Sequence, residues 1–168
     1  METITHNLFA VIIQILCFKF IFFPFNIIFT IIFAFLSHIF IDAIAIITYH
    51  TPKIQKDKFW IIWHVIVYTL SILSILIFVI PFWLGLLFAN LMDIWDWFIL
   101  RSIQNRKKKI VPETNWGEKY YFHRIVDKTR NKLFYWLPKW NYEKRGILIE
   151  ISIIIISSVL VTFLFQFT

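Results

Sequence analysis

The sequence predicts an all-α membrane protein, a polytopic bundle of about five transmembrane helices. Of its 168 residues, 60% are hydrophobic and 20% are aromatic, while only three are glycine. Several apolar stretches approach or exceed the roughly 20 residues that a helix needs to cross about 30 Å of hydrocarbon. Inside lipid, such stretches must satisfy their backbone hydrogen bonds internally, which selects helices. A water-soluble fold is therefore disfavoured.

The predicted helices belong to a single membrane domain, residues 1–168. We place the spans at residues 8–23, 26–48, 59–80, 82–100 and 147–166. Pro24 and Pro81 fall between consecutive spans, where a residue without a backbone N–H ends a helix and favours a tight hairpin. The basic segment 101–146 connects the fourth and fifth spans. Within it, residues 118–137 carry apolar side chains near helical spacing, which predicts an amphipathic helix at the membrane interface.

Positive charge is gathered on one side of the predicted bundle. All but Lys19 of the 17 Lys and Arg residues lie in the linker 51–58 or in the segment 101–146. The positive-inside rule therefore predicts the cytoplasmic (inner) membrane, with a cytoplasmic N-terminus and an outward C-terminus. Because the basic run 106–109 follows a span directly, anionic lipid headgroups are the predicted partner rather than nucleic acid. The sequence is compatible with a homo-oligomer.

Polar side chains form a stripe on each span, and such a stripe must face protein or a water-filled cavity. Counted at about 1.5 Å per residue from the cytoplasmic end, Asp42, Asp93, Asp96 and His64 lie at similar depths of roughly 8 to 12 Å, with His38 deeper. His38 and Asp42 are four residues apart, so both side chains share one helix face. Asp93 and Asp96 are three residues apart, a spacing that also places two side chains on one helix face. We expect these groups to converge inside the bundle.

Three carboxylates this close repel one another in a low dielectric unless some are protonated or a cation lies among them. A divalent metal ion is the simplest answer. Imidazole and carboxylate ligands suit zinc, manganese or iron(II), and the lack of thiolates argues against a closed structural zinc site. A metal makes water in such a site more acidic, and a spare carboxylate could serve as the base. Hydrolysis follows naturally from this chemistry.

The segment around His38 and Asp42 also resembles a known family. Its residues FLSHIFID, running on towards Thr51-Pro52, resemble the SHxxxD motif and the TP element of the membrane-bound metal-dependent hydrolases, which include bacterial LexA-binding inner-membrane proteins. ITHNLFA is similar to the N-terminal histidine segment of that family, LMDIWDW to its DxD element, and YYFHRIVD to its HRxxTH element. The resemblance implies that the metal is bound by His6, His38, Asp42 and Asp93.

The predicted function is hydrolysis of an ester or phosphoester bond in a lipid-linked substrate at the cytoplasmic side. Asp96 is the predicted base or additional ligand, and Arg101 and Arg124 are the predicted phosphate binders. The sequence leaves open whether three further residues join the site, namely His64, His123 and Asp127.

Two other classes of function remain open from the sequence. Phospholipid headgroup transfer is one, because DxxD also begins the motif of the CDP-alcohol phosphatidyltransferases. A structural membrane protein or a cation-transport subunit is the other. In that class the buried His and Asp pairs would hold the bundle together, with Arg101 neutralising Asp93 or Asp96.

Overall fold

A computed structural model describes residues 1–49, 58–108 and 120–166 of the chain. Within these ranges the fold is entirely helical, as predicted. The helices are α1 (Thr3–Phe20), α2 (Phe25–Ile44), α3 (Lys58–Asp93), α4 (Arg101–Lys108), α5 (His123–Leu133) and α6 (Gly146–Gln166). A 3-10 turn, Ala45–Ile47, follows α2, and a π-helical segment, Ile94–Leu100, joins α3 to α4.

Four helical stretches in the described ranges are long and apolar enough to cross a membrane. They are Thr3–Phe20, Phe25–Ile47, Lys58–Arg106 and Gly146–Gln166. The third stretch, with 49 residues, is about twice as long as one crossing requires. It contains Pro81, and the next residue, Phe82, has non-helical backbone angles (φ −125°, ψ 28°). A kink at this point divides α3 into a first arm, residues 58–81, and a second arm, residues 82–93.

The two arms of α3 lie side by side. The side chain of Asn7 in α1 donates a hydrogen bond to Ser74 Oγ (2.7 Å) and accepts one from Asn90 Nδ2 (2.8 Å). On a straight helix Ser74 and Asn90 would be about 24 Å apart. One side chain can reach both only because the chain folds back between them. The reversal that Pro81 predicted is therefore present.

The amide of Gln14 replaces the helical hydrogen bond that the kink breaks. In a regular helix the N–H of Gly85 would donate to the carbonyl of Pro81. Here Gly85 N–H donates to Gln14 Oε1 (2.7 Å), and Gln14 Nε2 donates to the Pro81 carbonyl (3.3 Å). A Cβ at position 85 would lie 2.8 Å from the Ala10 carbonyl oxygen, so only glycine allows this approach. A polar residue inside an apolar helix thus stabilises the hairpin.

Helix α1 lies at the centre of the bundle and packs against α2, α3 and α6. Small residues without exposed surface, Ala10, Ala34 and Ala89, let the helices approach closely. The helix begins at Thr3, before the predicted span. The polar residues of its first turns are buried against neighbouring helices, which supply hydrogen-bond partners that lipid lacks.

Helix α5 packs on the end of the bundle where α2 ends. Its Val126 is buried in a cluster with Ile39, Ala43 and Met92. The ring of Phe122, just before α5, meets the ring of Phe35 edge-on, with centroids 6.2 Å apart. The predicted amphipathic helix 118–137 is therefore docked on protein over His123–Leu133, while residues 118 and 119 lie outside the described ranges.

Candidate metal centre

Four ionisable side chains meet at the end of the bundle where α5 packs. His38 and Asp42 stand one turn apart on α2, Asp93 ends the second arm of α3, and His123 begins α5. Each residue offers one ligand atom, and these atoms all lie within 4.8 Å of one another. This group, the His/Asp cluster, could hold a metal ion.

The spacing of the four atoms matches a metal coordination shell. His38 Nε2 lies 3.3 Å from Asp42 Oδ2 and 3.8 Å from Asp93 Oδ1. His123 Nε2 lies 3.3 Å from the same Asp42 oxygen and 3.4 Å from the same Asp93 oxygen. Bonds of about 2.1 Å in a tetrahedron place neighbouring ligand atoms about 3.4 Å apart. The cluster therefore needs little rearrangement to bind a divalent ion.

Hydrogen bonds on the far side of each imidazole orient its ligand nitrogen. His38 Nδ1 lies 2.6 Å from the Ala89 carbonyl, which can only accept, so Nδ1 carries the proton. His38 Nε2 is buried and has no hydrogen-bond partner among the described residues. His123 Nδ1 likewise donates to Asp96 Oδ2 (2.6 Å). Both Nε2 atoms thus face carboxylate oxygens, and only a cation or an added proton makes that arrangement favourable.

Asp96 lies behind His123 and is fully buried. Its Oδ1 accepts from the backbone N–H of Phe122 (3.0 Å), and its Oδ2 accepts from the backbone N–H of His123 (2.9 Å) as well as from the ring. A carboxylate that holds the second nitrogen of a ligating histidine is a recurrent feature of metal sites. The sequence predicted Asp96 as a base or an additional ligand, but the structure directs its oxygens away from the cluster.

His6 lies behind Asp42 in a similar way. Its Nε2 is 3.0 Å from Asp42 Oδ1, and its ring stacks on the ring of His38 with centroids 4.2 Å apart. The amino group of Met1 donates to the same Asp42 oxygen (2.5 Å). These contacts occupy Oδ1 and leave Oδ2 facing the cluster. The structure therefore places His6 next to the four cluster residues rather than among them.

The charge of the cluster depends on His123, which lies outside the membrane-crossing helices. Burial lowers the pKa of its imidazole, but hydrogen bonds to Asp42 and Asp96 and the charges of Asp42 and Asp93 outweigh burial and raise the pKa to about 9. Without a metal, His123 is therefore protonated at neutral pH and offsets part of the negative charge. A metal ion would displace this proton.

A cavity of about 460 Å³ gives access to the cluster. Asp42, Asp93 and His123 line it together with Arg130. The guanidinium of Arg130 donates to the backbone carbonyls of Asp42 (2.8 Å) and Ala43 (3.3 Å), at the C-terminal end of α2. A cation is favourable there because the last carbonyls of a helix carry partial negative charge.

The two arginines predicted to bind phosphate lie further from this cavity. The guanidinium of Arg101 is stacked over the ring of Trp97, 4.6 Å from its centroid, and Trp97 is a cavity residue. Arg124 is exposed and lines a second hollow together with Tyr121, His123 and Asp127. Of these three arginines, only Arg130, which was not predicted from the sequence, lines the cavity beside the cluster.

Of the residues left open by the sequence, only His123 belongs to the cluster. His64 donates from Nδ1 to the Trp60 carbonyl (2.8 Å) and stacks on the Trp60 ring, with centroids 4.0 Å apart. Asp127 pairs with Arg130 (2.9 Å) on the exposed side of α5. Both residues therefore have structural contacts of their own.

Helical spacing carries a partial signal for His123, which the sequence leaves open, and for Arg130, which was not predicted. His123, Val126 and Arg130 follow the i, i+3, i+7 pattern of one helix face. A buried Val126 places that face against the bundle, which brings both polar residues to the cluster. The pattern shows only that they share a face, because the surface that the face meets is formed by distant parts of the chain.

The chain matches no family model, no curated protein and no solved structure. A function must accordingly be inferred from the His/Asp cluster itself.

Proposed function

We propose that the chain is a membrane-embedded, metal-dependent hydrolase that cleaves an ester or phosphoester bond of a lipid-linked substrate. The observation that carries this proposal is the convergence of two imidazole nitrogens and two carboxylate oxygens at the spacing of a coordination shell. This donor set suits zinc, manganese or iron(II). The resemblance of FLSHIFID to a motif of the membrane-bound metal-dependent hydrolases supports the same reading.

A divalent metal bound in the cluster would supply Lewis-acid chemistry and make water a nucleophile at neutral pH. In the net reaction, water adds across the C–O or P–O bond, and the alcohol leaves with a proton. We assign Asp96 and His6 positioning roles, because each holds a cluster residue by a hydrogen bond on its far side. These roles replace the base and the ligand that the sequence predicted.

Arg130 is the residue best placed to attract a phosphate or carboxylate in the cavity. Its Nε, Nη1 and Nη2 atoms each make one protein contact, to Ala43, Asp127 and Asp42. A guanidinium has five N–H groups, so two remain for a substrate oxygen. Arg101 and Arg124 stay as secondary candidates.

We further infer that the cluster opens towards the cytoplasm of a cell whose inner membrane holds the protein. The beginning of α1, the end of α2, α5 and the beginning of α6 all lie at the cluster end of the bundle. In the sequence, all but Lys19 of the Lys and Arg residues belong to residues 51–58 or 101–146, which follow α2 and precede α6, respectively. The positive-inside rule then places this end in the cytoplasm, where anionic headgroups would contact it.

A non-catalytic role is the second candidate, and one observation favours it. Protonated His123 lies within 3.4 Å of oxygens from Asp42, Asp93 and Asp96, so it could hold α5 on the bundle without any metal. In that case the cluster is a charge network that stabilises the fold. Metal dependence separates the two candidates.

The test is hydrolysis by the purified protein in lipid vesicles, assayed as release of fatty acid or phosphate from a panel of glycerolipids and isoprenoid lipid phosphates. We expect activity that a chelator removes and that zinc, manganese or iron(II) restores. His38→Ala and Asp93→Asn should abolish activity, while Glu143→Gln, which removes an exposed carboxylate paired with Arg145, should retain it. Activity that is indifferent to the chelator, or to both cluster variants, would overturn the proposal.

A further inference from the structure

A second cavity, of about 790 Å³, lies between the two arms of α3. Its walls are mostly apolar. Ile75 and Val79 come from the first arm, and Trp83 and Leu87 come from the second. Asn7 of α1, which joins the arms by hydrogen bonds, lies at its floor. We call this cavity the interarm slot.

The interarm slot adjoins the cavity of the His/Asp cluster. Four residues line both spaces, namely Thr3, Tyr68, Asp93 and Phe98. Because Asp93 is itself a cluster residue, a molecule lying in the slot can place one end beside the cluster. Tyr68 and Phe98 are exposed at this junction.

The dimensions of the slot suit a hydrocarbon chain of one membrane leaflet. Along the second arm, the eleven residues from Trp83 to Asp93 span ten helical steps and rise about 15 Å, which is half of the roughly 30 Å hydrocarbon core. The walls belong to a helix that is long and apolar enough to cross a membrane. An apolar space at that depth offers water too few hydrogen-bond partners. Hydrocarbon is the chemistry that fills it.

We propose that the interarm slot holds one hydrocarbon chain of the substrate, which enters sideways from the bilayer and presents its polar end at Asp93. The inference rests on the proposed function and makes its substrate more specific. The substrate is an amphiphile with at least one linear chain about one leaflet long, and its scissile bond lies where the chain meets the headgroup.

A transmembrane helix of a second copy is a less suitable occupant of the interarm slot. The apolar surface of such a helix would face the polar groups, Thr3 and Asp93, where the slot meets the cavity of the cluster. A flexible hydrocarbon chain with a polar headgroup fits both the apolar walls of the slot and its polar end.

Direct binding can be measured without any hydrolysis. Chelated protein in nanodiscs would be illuminated with a single-chain phospholipid that carries a diazirine on its acyl chain, and the adducts mapped by mass spectrometry. We expect adducts on Ile75, Val79 or Leu87, and loss of most of them in Ile75→Trp, whose added ring fills the slot. The matched control is Leu76→Trp, on the same arm but outside the slot, which should label like the wild type.

A kinetic measurement complements the labelling. In Ile75→Trp and Leu87→Trp, the ratio of the rate with a long-chain ester to the rate with a short-chain ester should fall by about tenfold or more, since an extra ring must compete with the chain for space. Leu76→Trp should keep the wild-type ratio.

The outcomes distinguish this inference from the proposed function. Labelling in the slot of a protein without metal or hydrolytic activity would support the chain site and overturn only the hydrolase. Metal-dependent hydrolysis with labels scattered outside the slot, and an unchanged chain-length ratio, would overturn the chain site and leave the hydrolase standing. Crosslinks between slot residues of two copies would also overturn the inference.

Discussion

The Nδ1–H of His123 donates to Asp96 Oδ2 across 2.6 Å, which joins the first turn of α5 to the π-helical segment that follows α3. The same contact turns His123 Nε2 towards Asp42 and Asp93. Through this one hydrogen bond, the docking of a peripheral helix and the shape of the candidate metal centre depend on each other.

Asp96→Asn should weaken metal binding without removing any residue of the His/Asp cluster. An amide cannot stabilise the imidazole as a carboxylate does, so His123 becomes a poorer ligand and loses its fixed orientation. We expect the metal affinity to fall by roughly 10- to 100-fold. Competition with a chromophoric chelator measures it, and Asp127→Asn is the matched control because Asp127 lies on the exposed side of α5. Equal affinities for Asp96→Asn and the wild type would argue against the positioning role.

The metal-free protein should lose stability as the pH rises. The pKa of His123, about 9 in the fold, lies above its ordinary value of 6.5, so the protonated form is the one that folding favours. Its contribution is complete below about pH 6.5 and disappears as the pH rises through about 9. Thermal unfolding of chelated protein across this range measures the effect. His123→Gln should melt lower than the wild type at the acidic end and approach it at the alkaline end, and a gap that stays constant would disprove the assignment.

Much of the fold was predictable because it follows from apolar length and from proline. The apolar stretches predicted helices that cross a membrane, and Pro81 predicted the reversal inside what is otherwise one long helix. The start of α1 was not predicted. Residues such as His6 and Asn7 are too polar for lipid, and their burial becomes favourable only through partners on α2 and α3.

The candidate site was predictable where its residues share a helix. His38 and Asp42 are four residues apart on α2, and the structure brings them together with Asp93. Spacing of three residues predicted that Asp96 shares a helix face with Asp93, but Asp96 contacts His123 and Phe122 instead. The wider i→i+5 winding of the π-helical segment changes the angle between residues three apart. His123 arrives through the packing of α5, which no local pattern specifies.

Gln14→Met should destabilise the hairpin of α3. Methionine has a similar size but can neither accept from Gly85 N–H nor donate to the Pro81 carbonyl. Each buried group left without a partner costs about 1–3 kcal/mol, so the melting temperature in detergent should fall clearly. Thr162→Val is the control, because that exposed hydroxyl bonds only within α6. If the two variants melted alike, Gln14 would not have the stabilising role described.

The orientation of the bundle can be tested with single cysteines in a Cys17→Ala background. Phe22→Cys lies in the exposed turn between α1 and α2, and Lys139→Cys lies at the cluster end, beside the residue whose N–H bonds to Ile46. The proposed orientation, which follows from the one-sided positive charge, puts the first position outside and the second in the cytoplasm. An impermeant maleimide should therefore label only position 22 in intact cells, and both positions after lysis. Labelling of position 139 alone in intact cells would reverse the orientation.

The most direct test of the central claim is the metal content of the detergent-purified protein, measured by mass spectrometry together with thermal unfolding. We expect about one zinc, manganese or iron per chain, since the four ligand atoms form one site. His38→Ala and Asp42→Asn should each lose the metal, and the wild type should melt at a lower temperature after chelation. A protein that holds no stoichiometric metal, and whose melting temperature rises in Asp42→Asn because a buried charge has been removed, would contradict the metal centre.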